Sequence, residues 1–450
     1  MLINQSTFSS PRPLFEYLSQ QKYWEEREAS NPAPPVDDPT QLLQNTLDQI
    51  FTGVGISTAI VSDDIAWYGA SGTANLTTNT PVTSSDRFQI GSITKTFVAT
   101  TVLQLLEENQ LSLEATLNQY LPSEIVSKIS DSANITIRQL LNHTSGIPDY
   151  LSVLLDEGVN LFREWQPEAL VEFIANQPLS FSPGTSWQYS NTNYILLGMI
   201  VENITNNSLA TEIRTRILEP LQLDNTFVAD TEAVPGGFVS GYWDINVDGN
   251  LDNTDFISPS IVDAAGAMVS NTEDLVDFAQ ALFGGDLLEP TTLDQMLTFV
   301  DAFNSRAFSG YGLGVARLNT PDELIYGHSG LTLGYRANMW YVPEDDLVYI
   351  DLQNTRTIDN FIDPLLTTWR EYQADQPLLN DVRSLQFDTP IISTSESELV
   401  GVHFDSDLIT LGQQEQFNTE PSNLLMSKNF FNKQFDDSTN PVQVCMPQII

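Results

Sequence analysis

The amino-acid sequence predicts an α/β fold: one sheet built from the two ends of residues 41–375, with a mostly helical subdomain, about 105–265, inserted between them. Three observations carry this. Strand-like alternation opens the region at Ile56–Val61 and Ile65–Gly69, around a turn at Ser62-Asp63-Asp64. Helical periodicity dominates the middle. Strand patterns return at Gly312–Leu318, Leu324–His328, Arg336–Val342 and Leu347–Gln353. Strands at both ends and helices between them join the ends in one layer.

Taken in order, residues 1–40 read as an appendage. Phe15–Arg27 has the spacing of one short helix, and Asn31–Pro39 is a proline-dense linker that disfavours helix and sheet. The globular part opens near Gln41, and Leu42–Phe51 has helical spacing. After Gly91 a long helix is expected. Ile93, Phe97, Val98, Val102, Leu105 and Leu106 share one broad face, and the pattern ends near Asn109-Gln110. Further helices fit Thr136–Leu141, Pro167–Asn176, Thr192–Ile204 and Leu209–Leu218, and a last one Asp359–Gln373. Residues 376–450 form a polar C-terminal extension with two short apolar runs and no assigned role.

The 450 residues carry 59 acidic and 18 basic side chains, a net charge of −41. Such a surface repels phosphate backbones, so nucleic acid and anionic membranes are not expected partners. The single cysteine, Cys445, excludes a disulfide framework or a Cys-based metal centre. Of the three histidines, none lies in an H-E-x-x-H. The longest apolar run, Tyr194–Val201, is too short to span a bilayer. No basic n-region followed by an apolar h-region is seen, so no signal peptide is read.

The chemistry centres on Gly91-Ser92-Ile93-Thr94-Lys95 at the start of the long helix. Ser92 and Lys95, three apart, lie on one face within a turn. A serine hydroxyl attacks a carbonyl only if a base takes its proton, and a lysine with a depressed pKa can do so. The helix N-terminus adds N–H donors beside a developing oxyanion. Alone, S-x-x-K is a weak signal that an N-cap serine and a surface lysine would also produce. Two further elements accompany it. Tyr189-Ser190-Asn191 offers a proton-shuttling phenol and an amide that could hold a substrate carbonyl and contact Lys95. Gly327-His328-Ser329-Gly330 places small residues at a sheet edge, where substrate backbone can lie alongside.

In this order the three elements resemble the penicillin-recognising serine hydrolases, which include D-alanyl-D-alanine carboxypeptidases, class C β-lactamases and related esterases. The strings "ITIRQLLNHTSGIPDY", "FSPGTSWQYSNTNYILLGMIVENIT" and "AAGAMVSNTEDL" match as well. The resemblance implies a β-lactamase-like fold, an antiparallel sheet flanked by helices. It implies Ser92 as acylated nucleophile, Lys95 as its activating partner and Tyr189 as proton shuttle. Asn191 would bind substrate carbonyl, and His328 would complete the polar network. Ser329, Gly330 and Leu331 would line the substrate strand, with the N–H groups of Ser92 and Leu331 as oxyanion hole. No cofactor is implied for catalysis. The substrate would be a peptidoglycan-like peptide, a β-lactam or an ester, met outside the cytoplasm.

His-Ser-Gly in the third element looks most like the carboxypeptidase branch, which implies D-alanyl-D-alanine carboxypeptidase-like chemistry. Departures from that branch favour a second reading, an esterase. Ala316 stands where the branch carries an arginine, Leu331 where it carries a hydroxyl, and Ile261 where a tryptophan is expected. The first two positions would hold a terminal carboxylate. Arg317, one residue along, should point to the other face of its strand. A third reading is a non-catalytic cell-wall or regulatory binding protein on the same scaffold. His143, in "LLNHTSGI", is expected to be a loop histidine bonded to backbone.

Independently, Asp244–Asp255 fits a twelve-residue calcium loop. Asp244, Asn246 and Asp248 occupy positions 1, 3 and 5, Gly249 position 6, and Asp255 position 12. Asp252 and the Asn250 carbonyl complete the expected ligand set of a structural calcium ion.

Overall fold

The structure is a computed structural model. It describes residues 38–387 apart from 158–159, 304, 306, 319, 321–322 and 357–361, and the side chains of 375–387 are not described. The chain divides into two units, residues 1–373 with 443–450, and residues 374–442. Of the second, only the continuation of one helix is described. The N-terminal appendage and the C-terminal extension predicted from sequence therefore lie almost entirely outside the described residues.

A nine-stranded antiparallel sheet forms the spine of the first unit. Its strands are β1 (Gly55–Ser62), β2 (Ile65–Asn75), β3 (Thr80–Pro81), β4 (Val300–Asp301), β5 (Phe308–Tyr311), β6 (Ala316–Leu318), β7 (Tyr326–Leu331), β8 (Arg336–Val342) and β9 (Leu347–Gln353). Their order is β3-β2-β1-β9-β8-β7-β6-β5-β4, so the first and last strands of the region meet at the centre, with Ile56 opposite Gln353. Strand β9 is buried along its whole length because helices cover both faces. Alternation sorts its side chains. Val348, Ile350 and Leu352 enter the larger core, while Leu347 and Tyr349 enter the smaller one beneath α1 (Pro39–Ile50) and the helix starting at Ile362.

Several sequence expectations shift for identifiable reasons. Helix α1 begins inside the expected linker, because Pro39 sits at the first helical position and the Asp38 side chain accepts from Thr40 N. The expected strand Gly312–Leu318 is broken. Gly314 takes φ +81°, and Gly312 N donates to Val315 O, so β5 and β6 are separate strands. The helix after Gly91 starts as a single 3-10 turn, Gly91–Ile93, and continues as α2 (Thr94–Glu107). It is buried almost all round rather than on one face. Its threonines are accommodated by back-bonding: Thr100 and Thr101 hydroxyls donate to Thr96 O and Phe97 O, and Thr96 to Gly314 O. Helix α3 (Asn191–Thr205) packs against α2 and ends at Asn206 in the left-handed conformation.

The loop read as a calcium site does not assemble one. Strands Tyr242–Trp243 and Asp252–Asn253 pair as a hairpin, and the loop's oxygens are taken by its own donors. Asp244 accepts from Asp248 N and Gly249 N, Asp248 from Asn250 N, and Asp252 from Ile245 N and the Asn246 amide. Asp255 turns away to Ser240 Oγ and Gly241 N. No group of three or more His, Cys, Asp or Glu that could hold a metal occurs among the described residues. The residue pattern is also that of an Asx-rich turn, and that is what forms.

Candidate active site

A cleft of about 640 Å³ opens where α2, α3 and β7 converge. Ser92, Asp149, Tyr189, Asn191, His328, Ser329 and Leu331 all line it. Two glycines make this convergence possible. Gly91 takes φ +50°, and a Cβ there would lie 2.7 Å from Leu331 N. On Gly330 a Cβ would fall 1.9 Å from Ile90 O and 3.1 Å from Ser92 N. Their lack of side chains lets the backbone N–H groups of Ser92 and Leu331 approach one another. Residues 328–331 pair only with β8, since β6 meets β7 only at Tyr326 and Gly327. One backbone edge of the His-Ser-Gly segment is thus left for a substrate.

Lys95 is fully buried. Its Nζ donates to Asn191 Oδ1 at 2.8 Å, to Ala265 O at 2.6 Å and to Ser92 Oγ at 3.1 Å. Burial drives its pKa down to about 7, against the opposing pull of the Asp149 carboxylate. Asn191 opens α3, where its backbone N donates to Asp149 Oδ1 at 2.7 Å. The Tyr189 ring lies 4.9 Å from Lys95 Nζ, and its hydroxyl is buried without a formed hydrogen bond among the described residues. Burial raises the phenol's pKa far above its ordinary value, and the nearby Ser92 hydroxyl offsets only part of that. Tyr189 is therefore a neutral phenol at physiological pH.

His328 has a different environment. Its Nδ1 lies 2.6 Å from Ser329 O, which can only accept, so Nδ1 carries the proton. Nε2 then accepts from the Tyr311 hydroxyl at 2.8 Å. Burial, and secondarily the Lys95 charge, lowers its pKa to about 3, so the ring is neutral. Ala316 and Tyr311 belong to the same buried apolar cluster as Phe308 and Trp187. Arg317 instead lies 5.4 Å over Phe299 and donates to Ser309 Oγ, outside the cleft lining. Ile261 is buried, and its carbonyl accepts from Tyr150.

Sequence reasoning missed Asp149 and gave His143 no part in the site. Asp149 is the carboxylate nearest to acting on Lys95, and it also orients Asn191. His143, expected as a backbone-bonded loop residue, is fully buried in a left-handed conformation, φ +62°. Its Nδ1 accepts from Ser190 N and the Asn193 amide, and its ring packs 4.3 Å from that of Tyr189. Both lie in the string "LLNHTSGIPDY", but neither has a sequence neighbour that points to its partner.

Residues 43–364 match the family described as Beta-lactamase. Penicillin-binding protein 4* of Bacillus subtilis is 29% identical over 334 residues, 70% of this chain and 69% of that protein. Esterase EstB of Burkholderia gladioli is 33% identical over 193 residues, 40% of this chain and 48% of the esterase. The crystal structure of a D-stereospecific amidohydrolase from Streptomyces sp. is 30% identical, with a TM-score of 0.62, covering 72% of this chain and 95% of that one. Fold and cleft together define a penicillin-recognising type of serine hydrolase. The chain belongs to the beta-lactamase family.

Proposed function

We propose that this protein hydrolyses amides and esters through an acyl-enzyme on Ser92. The observation that carries the reading is the set of three contacts around Lys95 Nζ. Two of its three contacts, Asn191 Oδ1 and Ala265 O, are acceptors that cannot donate, so they hold two N–H bonds. When the amine is neutral, its lone pair faces the third contact, the Ser92 hydroxyl. Ser92 Oγ attacks the carbonyl as its proton passes to Lys95. Charge on the carbonyl oxygen develops against the N–H groups of Ser92 and Leu331. The neutral Tyr189 phenol protonates the departing amine or alkoxide and regains a proton from Lys95. Water then attacks the acyl ester by the reverse relay and releases the acid. His328, neutral and bonded at both nitrogens, positions the strand edge rather than moving a proton.

The acyl donor is an amide or ester whose leaving group needs no terminal carboxylate. Ala316 is apolar and Leu331 lacks a hydroxyl, so the leaving group of a D-Ala-D-Ala peptide meets no dedicated anion site there. The amidohydrolase and esterase relatives support that breadth, and the penicillin-binding relatives support a site of action outside the cytoplasm. The test compares kcat/KM for a small 4-nitrophenyl ester and a diacetyl-Lys-D-Ala-D-Ala peptide. Turnover of the ester at least equal to that of the peptide is expected, and clear preference for the peptide would overturn the substrate reading.

Asp149 sets the working pH. Its charge raises the Lys95 pKa, so Asp149→Asn should lower it further. In wild type kcat/KM should rise with pH and level off above about 7, because the amine must be deprotonated. In the variant that ascending limb should move to lower pH. A limb that stays fixed or moves upward would remove Asp149 from this role.

A further inference from the structure

Beside the cleft lies a second, narrower cavity of about 50 Å³. It shares Leu151, Val262, Leu331 and Thr332 with the cleft, so the two adjoin at Leu331, whose N–H belongs to the proposed oxyanion hole. Its walls are largely aliphatic, including Leu155, Ile257, Ile261 and Leu333. Three polar atoms in its lining break that pattern: Thr254 Oγ1, Thr332 Oγ1 and Arg356 Nη1. Each is buried, and none has a hydrogen-bond partner among the described residues. Thr254 itself is only 3% exposed. Its hydroxyl is held against Gly334 and Gly241, where added Cβ atoms would fall 2.1 and 2.6 Å from it.

Arg356 packs on an aromatic ring as Arg87, Arg163 and Arg317 do, but among the described residues it differs from them in having a buried guanidinium nitrogen without a hydrogen-bond partner. With acidic side chains outnumbering basic ones three to one, carboxylates are abundant for pairing. Arg138, Arg214, Arg216 and Arg370 each take one or more. Arg356 has none among the described residues: no Asp or Glu lines the cavity, and the guanidinium lies 4.9 Å over the Trp243 ring. Burial alone pulls its pKa down, with no carboxylate restoring it. Arg356 is half-buried, and a cation whose Nη1 is buried without a partner is costly unless an anion completes it. Two hydroxyl donors at the same cavity add the remaining bonds that a carboxylate's oxygens can accept.

We infer that this cavity is a subsite for a carboxylate carried on a short aliphatic arm of the acyl donor, with Arg356, Thr254 and Thr332 as its donors. The inference rests on the acyl-hydrolase reading of the cleft. A carboxylate attached to the carbon next to the scissile bond does not enter, since the anion must pass the aliphatic walls at Leu331 and Val262 to meet Arg356. The cavity holds roughly three to four water-sized groups, enough for the carboxylate and one or two methylenes. Glutaryl-type donors fit; longer diacids do not.

The test uses the full-length protein and paired substrates, the 4-nitrophenyl monoester of glutaric acid and 4-nitrophenyl pentanoate. The ratio of their kcat/KM values should favour the acid by roughly tenfold or more in wild type, as for one charge-assisted contact. In Arg356→Gln it should fall to about one, and in Thr332→Val it should drop part of the way. Free glutarate should also raise the melting temperature of wild type and of Ser92→Ala, but not of Arg356→Gln. A wild-type ratio of one or less, or a ratio and glutarate response untouched by both substitutions, overturns the subsite. Arg356-dependent glutarate binding by a protein that cleaves neither ester would keep the subsite and overturn the hydrolase reading.

Discussion

Lys95→Met should reduce kcat/KM by roughly a thousandfold or more, the scale of losing a positioned general base. That loss corresponds to about 4 kcal/mol of transition-state stabilisation. Methionine keeps the length and apolar volume of the lysine stem, so the fully buried site stays filled. Stability should not fall in step with activity. An ammonium held in that site is unfavourable, as the downward shift of its pKa to about 7 shows, and removing it relieves that cost. The variant should also lose the ascending limb of the pH profile, since no group of pKa near 7 would remain to accept the Ser92 proton. Ser92→Ala should be at least as inactive, and the two substitutions combined should cost little more than either alone, as for groups that act as one unit. An active Lys95→Met enzyme with an unchanged pH profile would require a different base. Tyr189 is a poor substitute, because burial keeps it a phenol.

That pair of residues was also the most legible part of the site. Ser92 and Lys95 are joined by helical spacing, a local property that sequence displays directly. Tyr189 and Asn191 lie in one further segment and His328 in another, and only the family resemblance joins them to Ser92 and Lys95. Asp149 was legible by neither route, and His143 only as a backbone-bonded loop residue, because what matters is their contact with Asn191 and Tyr189 across the fold. Arg356 follows the last strand and comes to line one cavity with Thr254 and Thr332 only through tertiary packing. The fold shows the same division. Long strands that are nearly continuous apolar runs, β8 and β9, have the limits expected of them. Two-residue strands such as Phe88–Gln89 and Phe227–Val228 are too short to produce any periodicity. Helix α2 misled because four threonines look solvent-facing in sequence, while Thr96, Thr100 and Thr101 hide their hydroxyls on backbone carbonyls. The Asp244–Asp255 loop misled for the related reason that Asx side chains satisfy backbone N–H groups as readily as they bind cations.

Gly330→Ala is the second large effect, and it tests the oxyanion hole without touching a side chain. The added methyl would sit 1.9 Å from Ile90 O and 3.1 Å from Ser92 N. Both neighbours are backbone, so neither can rotate away. The strand must retreat from the Gly91–Ile93 turn by about 1.5 Å to reach ordinary contact. Leu331 N would move with it, out of line with Ser92 N. Losing one oxyanion donor costs roughly a hundred- to a thousandfold in kcat, so a fall of that size is expected for both ester and amide substrates. Substrate binding should suffer less than kcat, because the donors act on charge that appears only in the transition state. Gly285→Ala separates this from a general effect of replacing glycine. Gly285 has φ +88° but open space around it, so alanine there should cost about 1 kcal/mol of stability by backbone strain alone. Its activity should stay at the wild-type level. If Gly330→Ala keeps full kcat while folded, the N–H groups of Ser92 and Leu331 do not stabilise the oxyanion, and the charge must be met elsewhere in the cleft.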